Sequence, residues 1–351
     1  MDQIIEKSKT YYEDVYSVAS DDILSKLNDK TIMISWAYGL IGSCIVDVLM
    51  VRNIKFNSNI TVIANGRNEK KMVSRFSSYI WNPNFKFISQ DINIPFNYEG
   101  NIDYIMHLAS NANPSAYKTD PVGTINGNII GIKNLLDYAK ETNVKRVLYT
   151  SSWEVYGEAD SSIKEFKEDF NWYVNPTLSR SCYPNSKRCA ETLCVSYSEE
   201  YWVDTVIARP SHTYWPNMTE NDNRAYAQFL RNVINWEDIV LKSEWKQIRS
   251  YTYIVDCAKA FFYILIKWKS KNAYNIANPN SVISIRNMAE MIAKIGNKKV
   301  IIDIPKETIP SPMQCGVLNT DKLQSIGFKA KYGIEEWYTN CFKILKEIIK
   351  N

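Results

Sequence analysis

Short apolar runs recur along the first two-thirds of the chain, each parted from the next by a longer stretch, and this alternation constrains the fold more than any other feature. The runs at 30–35, 60–64, 85–88, 104–108, 146–150 and 205–208 are rich in Ile, Val, Leu and Phe. Several are apolar nearly throughout, as strands buried on both faces are. Stretches with helical character at 40–51, 131–142 and 186–201 follow or precede them. Strands alternating with helices build a parallel sheet covered on both faces. The expected fold is therefore α/β, a doubly wound parallel sheet over 30–210, with a helical extension at 1–29. From about 211 the regularity weakens, leaving loops, a strand at 273–276 and helices at 285–295 and 334–349. The segment 211–351 is expected to be a smaller, mainly substrate-binding part, some of whose segments return to the larger domain.

Composition removes several function classes. The chain has 351 residues, 45% of them hydrophobic, which is enough for a sizeable core. Its 42 basic and 38 acidic residues are spread along the chain. Without a lysine block there is no clamp for nucleic acid or an anionic membrane, although a small anionic ligand remains open. Residues 1–30 are polar, and no apolar run reaches the ~18–20 residues of a membrane span, so a cytoplasmic protein is expected. The cysteines Cys44, Cys182, Cys189, Cys194, Cys257, Cys315 and Cys341 form no CxxC pair, and His107 and His212 are the only histidines. Buried free thiols are expected, and no metal site.

Two segments carry the chemistry. In Ser35-Trp36-Ala37-Tyr38-Gly39-Leu40-Ile41-Gly42 a strand turns into a helix. A helix N-terminus there offers free amides and a favourable dipole to a diphosphate, and Gly39 and Gly42 permit close backbone approach. In Tyr183-Pro184-Asn185-Ser186-Lys187, at the start of a helix, the spacing puts phenol and ammonium on one face. The ammonium is expected to favour the phenolate, making Tyr183 an acid/base, while Lys187 can also hold a ribose hydroxyl. Upstream, the strand ending in Thr150-Ser151-Ser152 supplies a hydroxyl to orient the substrate oxygen.

Taken together these segments resemble the extended short-chain dehydrogenases, the NAD-dependent epimerase/dehydratase family, and the likeness runs over nearly the whole chain. His107-Leu108-Ala109-Ser110 resembles the segment beside the cofactor after the family's fourth strand, and Asn128 to Asn134 its NxxGTxN helix. Ser151-Ser152-Trp153-Glu154-Val155-Tyr156-Gly157 resembles the active-site strand end, Arg209-Pro210 the loop beside the nicotinamide, and the stretch from Gln247 to Asp256 the substrate-diphosphate segment. The resemblance implies a Rossmann-type fold, a nucleotide-sugar substrate, and a homodimer joined through the helices at 131–142 and 186–201. It also implies contact with the cofactor by Gly39, Leu40, Ile41, Gly42, Asp91, Ile92, Leu108, Ala109, Tyr183, Lys187 and Pro210. Within the family, Arg180-Ser181-Cys182-Tyr183 with Lys187-Arg188 is most similar to UDP-glucuronate decarboxylases. The implied reaction oxidises the sugar at C4 with NAD, loses carbon dioxide from the β-keto acid, and returns the hydride. Tyr183 would take the C4 hydroxyl proton, Lys187 would lower its pKa, and Ser152 would hydrogen-bond the same oxygen. Glu154 fits both decarboxylases and 4,6-dehydratases, but the Asp that often precedes it in dehydratases is missing. Arg249, with Arg224 and Arg180, would meet the substrate. Cofactor type stays open, because Ala64-Asn65-Gly66-Arg67 lacks the acidic residue that accepts the ribose hydroxyls of NAD, and Arg67 suits the 2′-phosphate of NADP. An NADP-dependent keto-sugar reductase is the alternative enzyme.

One departure runs through the whole pattern. At average usage of about 7%, some 25 glycines are expected; the chain has 12, beside 10 tryptophans. Trp36 stands at the family's first fingerprint glycine, Trp215 where the family writes YGP, Trp202 in a turn and Trp245 in a loop; Trp153, Trp172, Trp236, Trp268 and Trp337 also fall at expected turns or helix ends. Either a nominal stop codon meaning glycine has been read as tryptophan, or the indoles are genuine. A genuine Trp36 would block the cofactor site and favour a catalytically silent scaffold.

Overall fold

The strands of the first part are β1 (Thr31–Ser35), β2 (Thr61–Gly66), β3 (Phe85–Ser89), β4 (Tyr104–His107), β5 (Arg146–Thr150) and β6 (Thr205–Pro210). After them come β7 (His212–Tyr214), β8 (Ile239–Leu241), β9 (Ile248–Tyr253), β10 (Asn272–Ile276), β11 (Val282–Ser284), β12 (Val300–Ile302) and β13 (Cys315–Gly316). The computed structural model describes residues 4–112, 114–159, 162–214, 224–242, 247–267, 269–304 and 315–350. Seven strands form one sheet in the order β3-β2-β1-β4-β5-β6-β10, every pair parallel. This is the Rossmann order with one strand added at the β6 edge. The added strand is the one expected at 273–276, so the chain returns to the large sheet after leaving it.

The helices are α1 (Ile4–Lys7), α2 (Lys9–Ala19), α3 (Leu40–Phe56), α4 (Glu69–Arg75), α5 (Pro114–Thr119) and α6 (Pro121–Glu141). They continue as α7 (Cys182–Glu200), α8 (Ala225–Ile234), α9 (Ile254–Lys267), α10 (Ile285–Ile295), α11 (Asp321–Gln324) and α12 (Ile334–Lys350). No helix among the described residues is long and apolar enough to cross a membrane. Helix α6 starts ten residues before the expected 131, because Asp120 caps the amide of Gly123 at 2.9 Å and Pro121 takes the first helical position. Helix α7 begins at Cys182, ahead of the expected 186, so Tyr183 and Lys187 lie on successive turns of regular helix.

Alternation along the strands divides the core in two. Ile32, Ile34, Val62, Ala64, Met106 and Leu148 face α3, α9 and the N-terminal helices. Met33, Ile63, Ile105, Val147 and Ile207 face α6 and α7. Each of these side chains larger than alanine, once buried, stabilises the fold by about 1.5–3 kcal/mol. Helix α3 is buried on nearly all sides, and its Asp47 pairs with Arg75 of α4 while accepting hydrogen bonds from Tyr11 (2.6 Å) and Tyr79 (3.1 Å). The smaller layer is centred on β9, flanked by β7, β11 and β13, with β8 and β12 forming a separate pair. Asp14 of α2 accepts from Tyr253 of β9 at 2.6 Å, tying the N-terminal helices to that layer. Five cysteines are buried as expected, whereas Cys189 is exposed and Cys315 half-buried.

Candidate active site

The winding of the sheet reverses between β1 and β4, and ligands of open parallel sheets bind outside the carboxyl ends of the strands at such a point. A cleft of about 550 Å³ opens there. A smaller hollow of about 90 Å³ lies toward β2, and Trp36 and Ser110 border both. The larger space is lined by Gly39, Leu40, Ile41 and Gly42 from the β1–α3 turn, by Leu108, and by Pro210 at the end of β6. Ser152, Glu154, Tyr183 and Lys187 share it with Arg180, Arg224 and Arg249. Arg67, Asp91, Ile92 and Ala109 line the smaller hollow. Trp215 and Trp245 lie outside the described residues, as does Trp268.

At the α7 end, Lys187 is fully buried and donates to the Thr150 carbonyl at 2.7 Å, with its Nζ 5.6 Å from the centre of the Tyr183 ring. Burial pulls the Lys187 ammonium down to about 7, against the opposing charge of Glu191. Burial likewise pushes the Tyr183 phenol up, with Glu154 adding to the effect. The groups favouring its phenolate are chiefly the hydroxyls of Ser152, Ser110 and Tyr117. This corrects the expectation that Lys187 lowers the Tyr183 pKa: in the free protein burial drives both groups toward their neutral forms.

Neighbouring elements hold this cluster in place. Ser35 accepts from the amides of Leu108 (2.9 Å) and Ala109 (3.1 Å) and meets His107 Nδ1 at 2.9 Å, fastening the end of β4 to β1. Ser110 donates to Asn128 of α6 and Asn128 to Ser186 of α7, both at 2.8 Å. Ser186 donates in turn to the carbonyls of Cys182 (2.5 Å) and Tyr183 (3.1 Å). These bonds give the Asn128 motif a physical role, since they lock the first turn of α7 against β4.

Glu154 and Arg180, read from the sequence as catalytic and substrate-binding, pair with each other at 2.7 Å. The Arg180 guanidinium also covers the Tyr117 ring at 4.6 Å, and Tyr117 stacks on Tyr183 with centroids 4.7 Å apart. Arg249 is buried over Trp153 at 5.6 Å, while Arg224 lies over Tyr226 at 4.9 Å. Between them His212 sits 5.0 Å from Trp153 and 5.5 Å from Tyr251. Its imidazole is held down to about 3 by burial first and then by Arg249 and Arg224. Two arginines beside a neutral histidine make this corner of the cleft suited to an anion. Tyr117 and His212 are the functional candidates that sequence reasoning missed. Nothing local marks Tyr117, but His212, one of two histidines and two residues past Pro210, was a usable signal.

The residues fit a dinucleotide along most of the groove. Helix α3 has no side-chain cap and starts on Gly39, leaving its first amides available to an anion. A Cβ on Gly42 would stand 2.8 Å from the Trp36 carbonyl, so only glycine lets helix and strand close. Thr150 Oγ1, Ser151 Oγ and His212 Nδ1 are buried without a hydrogen-bond partner, which marks the cleft as built to receive polar groups. In the smaller hollow Arg67 meets Asp91 at 3.4 Å, so the cation proposed for a 2′-phosphate is turned to a carboxylate. Trp36 is the misfit. Its backbone is left-handed (φ 53°), and its ring covers Gly39 so closely that a Cβ there would lie 2.6 Å from Trp36 Cδ1.

A family model described as the NAD dependent epimerase/dehydratase family matches residues 32–277. The chain belongs to this family. UDP-glucuronic acid decarboxylase 5 of Arabidopsis thaliana is 32% identical over 309 residues, which is 88% of this chain and 87% of the relative. UDP-glucuronic acid decarboxylase 1 of Xenopus tropicalis is 30% identical over 277 residues, 78% of this chain and 63% of the relative. Among solved structures, UDP-glucose 4-epimerase from Thermotoga maritima superposes with a TM-score of 0.76 at 18% identity, covering 91% of this chain and 99% of that one. The dTDP-glucose 4,6-dehydratase of Bacillus anthracis, solved in complex with NAD, gives 0.75 at 18% identity, covering 91% and 97%. These likenesses establish a fold common to the epimerase/dehydratase family, and the chain is an enzyme of that family.

Proposed function

We propose that the chain is an NAD-dependent UDP-glucuronate decarboxylase. The observation that carries the reading is the convergence of Ser152, Tyr183 and Lys187 with the Glu154–Arg180 pair in one cleft. The relatives named as decarboxylases, at 30–32% identity over most of the chain, support the same reaction.

Bound NAD would supply the hydride acceptor for the sugar's C4 and return the hydride at the end. Gly39 to Gly42 would hold its diphosphate, Asp91 and Ile92 its adenosine end, and Tyr183, Lys187 and Pro210 its nicotinamide riboside. The engagement of Arg67 with Asp91 favours NAD over NADP. In its phenolate form, which the hydroxyls of Ser152, Ser110 and Tyr117 favour, Tyr183 takes the proton from the C4 hydroxyl, and Ser152 holds the same oxygen. Lys187, fixed by the Thr150 carbonyl, holds a ribose hydroxyl. Once C4 is a ketone, the C6 carboxylate belongs to a β-keto acid and leaves as carbon dioxide; the C5–C6 electron pair passes into a C4 enolate, which takes a proton at C5 to restore the ketone. Glu154 and Arg180 face this step from the same wall, and the sugar must bridge or open their ion pair. Arg249, beside His212 and Arg224, meets the substrate diphosphate. We assign the protein as a homodimer through α6 and α7, whose exposed Val122, Ile125 and Ile130 on α6 support a second copy as the cover; light scattering at the monomer mass overturns that part.

The test is incubation with NAD and UDP-glucuronate, UDP-glucose and dTDP-glucose in parallel, with products followed by mass spectrometry. Loss of carbon dioxide from UDP-glucuronate alone is expected. Loss of water from either hexose moves the assignment to a dehydratase, and product of unchanged mass but altered retention moves it to an epimerase.

A further inference from the structure

Eight non-glycine residues among those described adopt a left-handed backbone: Asp29, Trp36, Asn57, Asn59, Trp202, Trp236, Lys271 and Asn297. Asn and Asp are the residues that tolerate this region, whereas for a bulky side chain it is a genuine outlier. Tryptophan is 10 of 351 residues, yet it supplies three of these eight positions. The three are not scattered at random.

Trp236 (φ 64°) follows the C-cap of α8, with its own amide bonded to Val233 O (3.2 Å) and the next amide, of Glu237, to Asn232 O (2.8 Å). That double bond pattern is the Schellman motif, whose left-handed residue is usually glycine. The end of α10 repeats it, with Asn297 (φ 55°) in the same place and bonds from Asn297 to Lys294 O and from Lys298 to Ala293 O. Trp202 (φ 62°) likewise follows the C-cap of α7. Neither indole gains burial for the strain, since Trp202 is 88% exposed and Trp236 75%. Trp36 (φ 53°) occupies the turn where the Gly42 backbone must pass close to its carbonyl, its ring lies over Gly39, and it borders both parts of the groove. By contrast Trp337 is wholly buried against Tyr214 and Tyr253 in a helix, and the highly exposed Trp81 has an ordinary φ.

We infer that positions 36, 202 and 236 are glycine in the protein made by the gene's own host, the tryptophans arising where the codon UGA is read as tryptophan although that host reads it as glycine. With glycine at 36 the diphosphate cradle at the start of α3 is open and continuous between its two ends. The inference rests on the cofactor reading only at position 36; positions 202 and 236 are independent of it.

The codons are the first readout, with UGA expected at all three positions; the ordinary tryptophan codon UGG there overturns the inference. The second is stability without any ligand. Trp202→Gly and Trp236→Gly should each raise the Tm by roughly 1–3 °C, and Trp81→Gly should not. Unchanged or lower Tm in the first two, or an equal gain in the third, overturns it by removing the link to backbone strain. The third is equilibrium titration with NAD, in which Trp36→Gly should bind at least ~10-fold more tightly than the chain as written. UGA codons and the Tm gains without NAD binding would leave the glycine assignment standing and remove the cofactor reading.

Discussion

At the α7 end of the cleft, Tyr183, Lys187 and Ser152 meet through their side chains, and a relay from Ser110 to Asn128 to Ser186 holds them in register. At the β1–α3 turn the same groove depends on backbone amides and on side chains being absent, at Gly39 and Gly42. The first region takes a form that motifs can read. On the proposed reading the second would be undone by one large side chain, and Trp36 stands there. A catalytic group can be recognised by what it is, whereas a diphosphate cradle is recognised by what it leaves open. The comparison predicts that substitutions at the α7 end change chemistry, while those at the turn change cofactor affinity.

The largest expected effect is that of Tyr183→Phe. Turnover of UDP-glucuronate should fall by about 10²–10⁴-fold, the range for loss of a general acid/base. NAD affinity, measured by titration in a chain carrying glycine at 36, should stay within a few-fold. An equal fall in affinity would break the separation between the two regions. Next is Arg249→Ala, which should raise KM for UDP-glucuronate by about 10–100-fold through loss of a charged hydrogen-bonding partner. Here too NAD affinity should hold, and a loss of NAD binding would move Arg249 to the cofactor side.

The smallest effect sharpens the electrostatics of the α7 end. Burial lowers the Lys187 ammonium from the ordinary 10.5 to about 7. Between those values the unfolded chain holds a proton that the folded site has released, so stability attributable to Lys187 rises with pH across the window. Its cost is full below pH 7. Lys187→Met removes that dependence, so the Tm of the variant relative to the parent should be highest near pH 6 and decline toward pH 9.5. A difference independent of pH, read from melting curves of both proteins, would show that Lys187 keeps its charge in the folded state. Turnover should be lost in the same variant at every pH.

Much of this protein was legible without coordinates because the signals are local. The six strands of the first part follow from short apolar runs, and alternation with helices implies a parallel sheet. The start of α6 was missed although Asp120-Pro121 announced it, because the helical reading began from the apolar residues alone. The small strands β7, β8, β9, β11, β12 and β13 were not assigned, since a strand of two to six residues is stabilised by its neighbours more than by its own sequence. The spacing of Tyr183 and Lys187 likewise determined that both would lie on one helical face.

Tertiary structure decided what distance along the chain concealed. Tyr117 reaches Tyr183 from a helix 66 residues earlier, Glu154 is neutralised by Arg180, and His212 comes between Trp153 and Tyr251. Burial, not the neighbouring ammonium, governs the protonation of Tyr183 and Lys187, and burial exists only once the sheet and helices close over them. The sequence placed tryptophan where glycine was expected. The left-handed backbone at Trp36, Trp202 and Trp236, imposed by one tight turn and two helix ends, gives that oddity its physical meaning. Local pattern determines which elements form, while protonation and backbone strain depend on what the completed fold brings together.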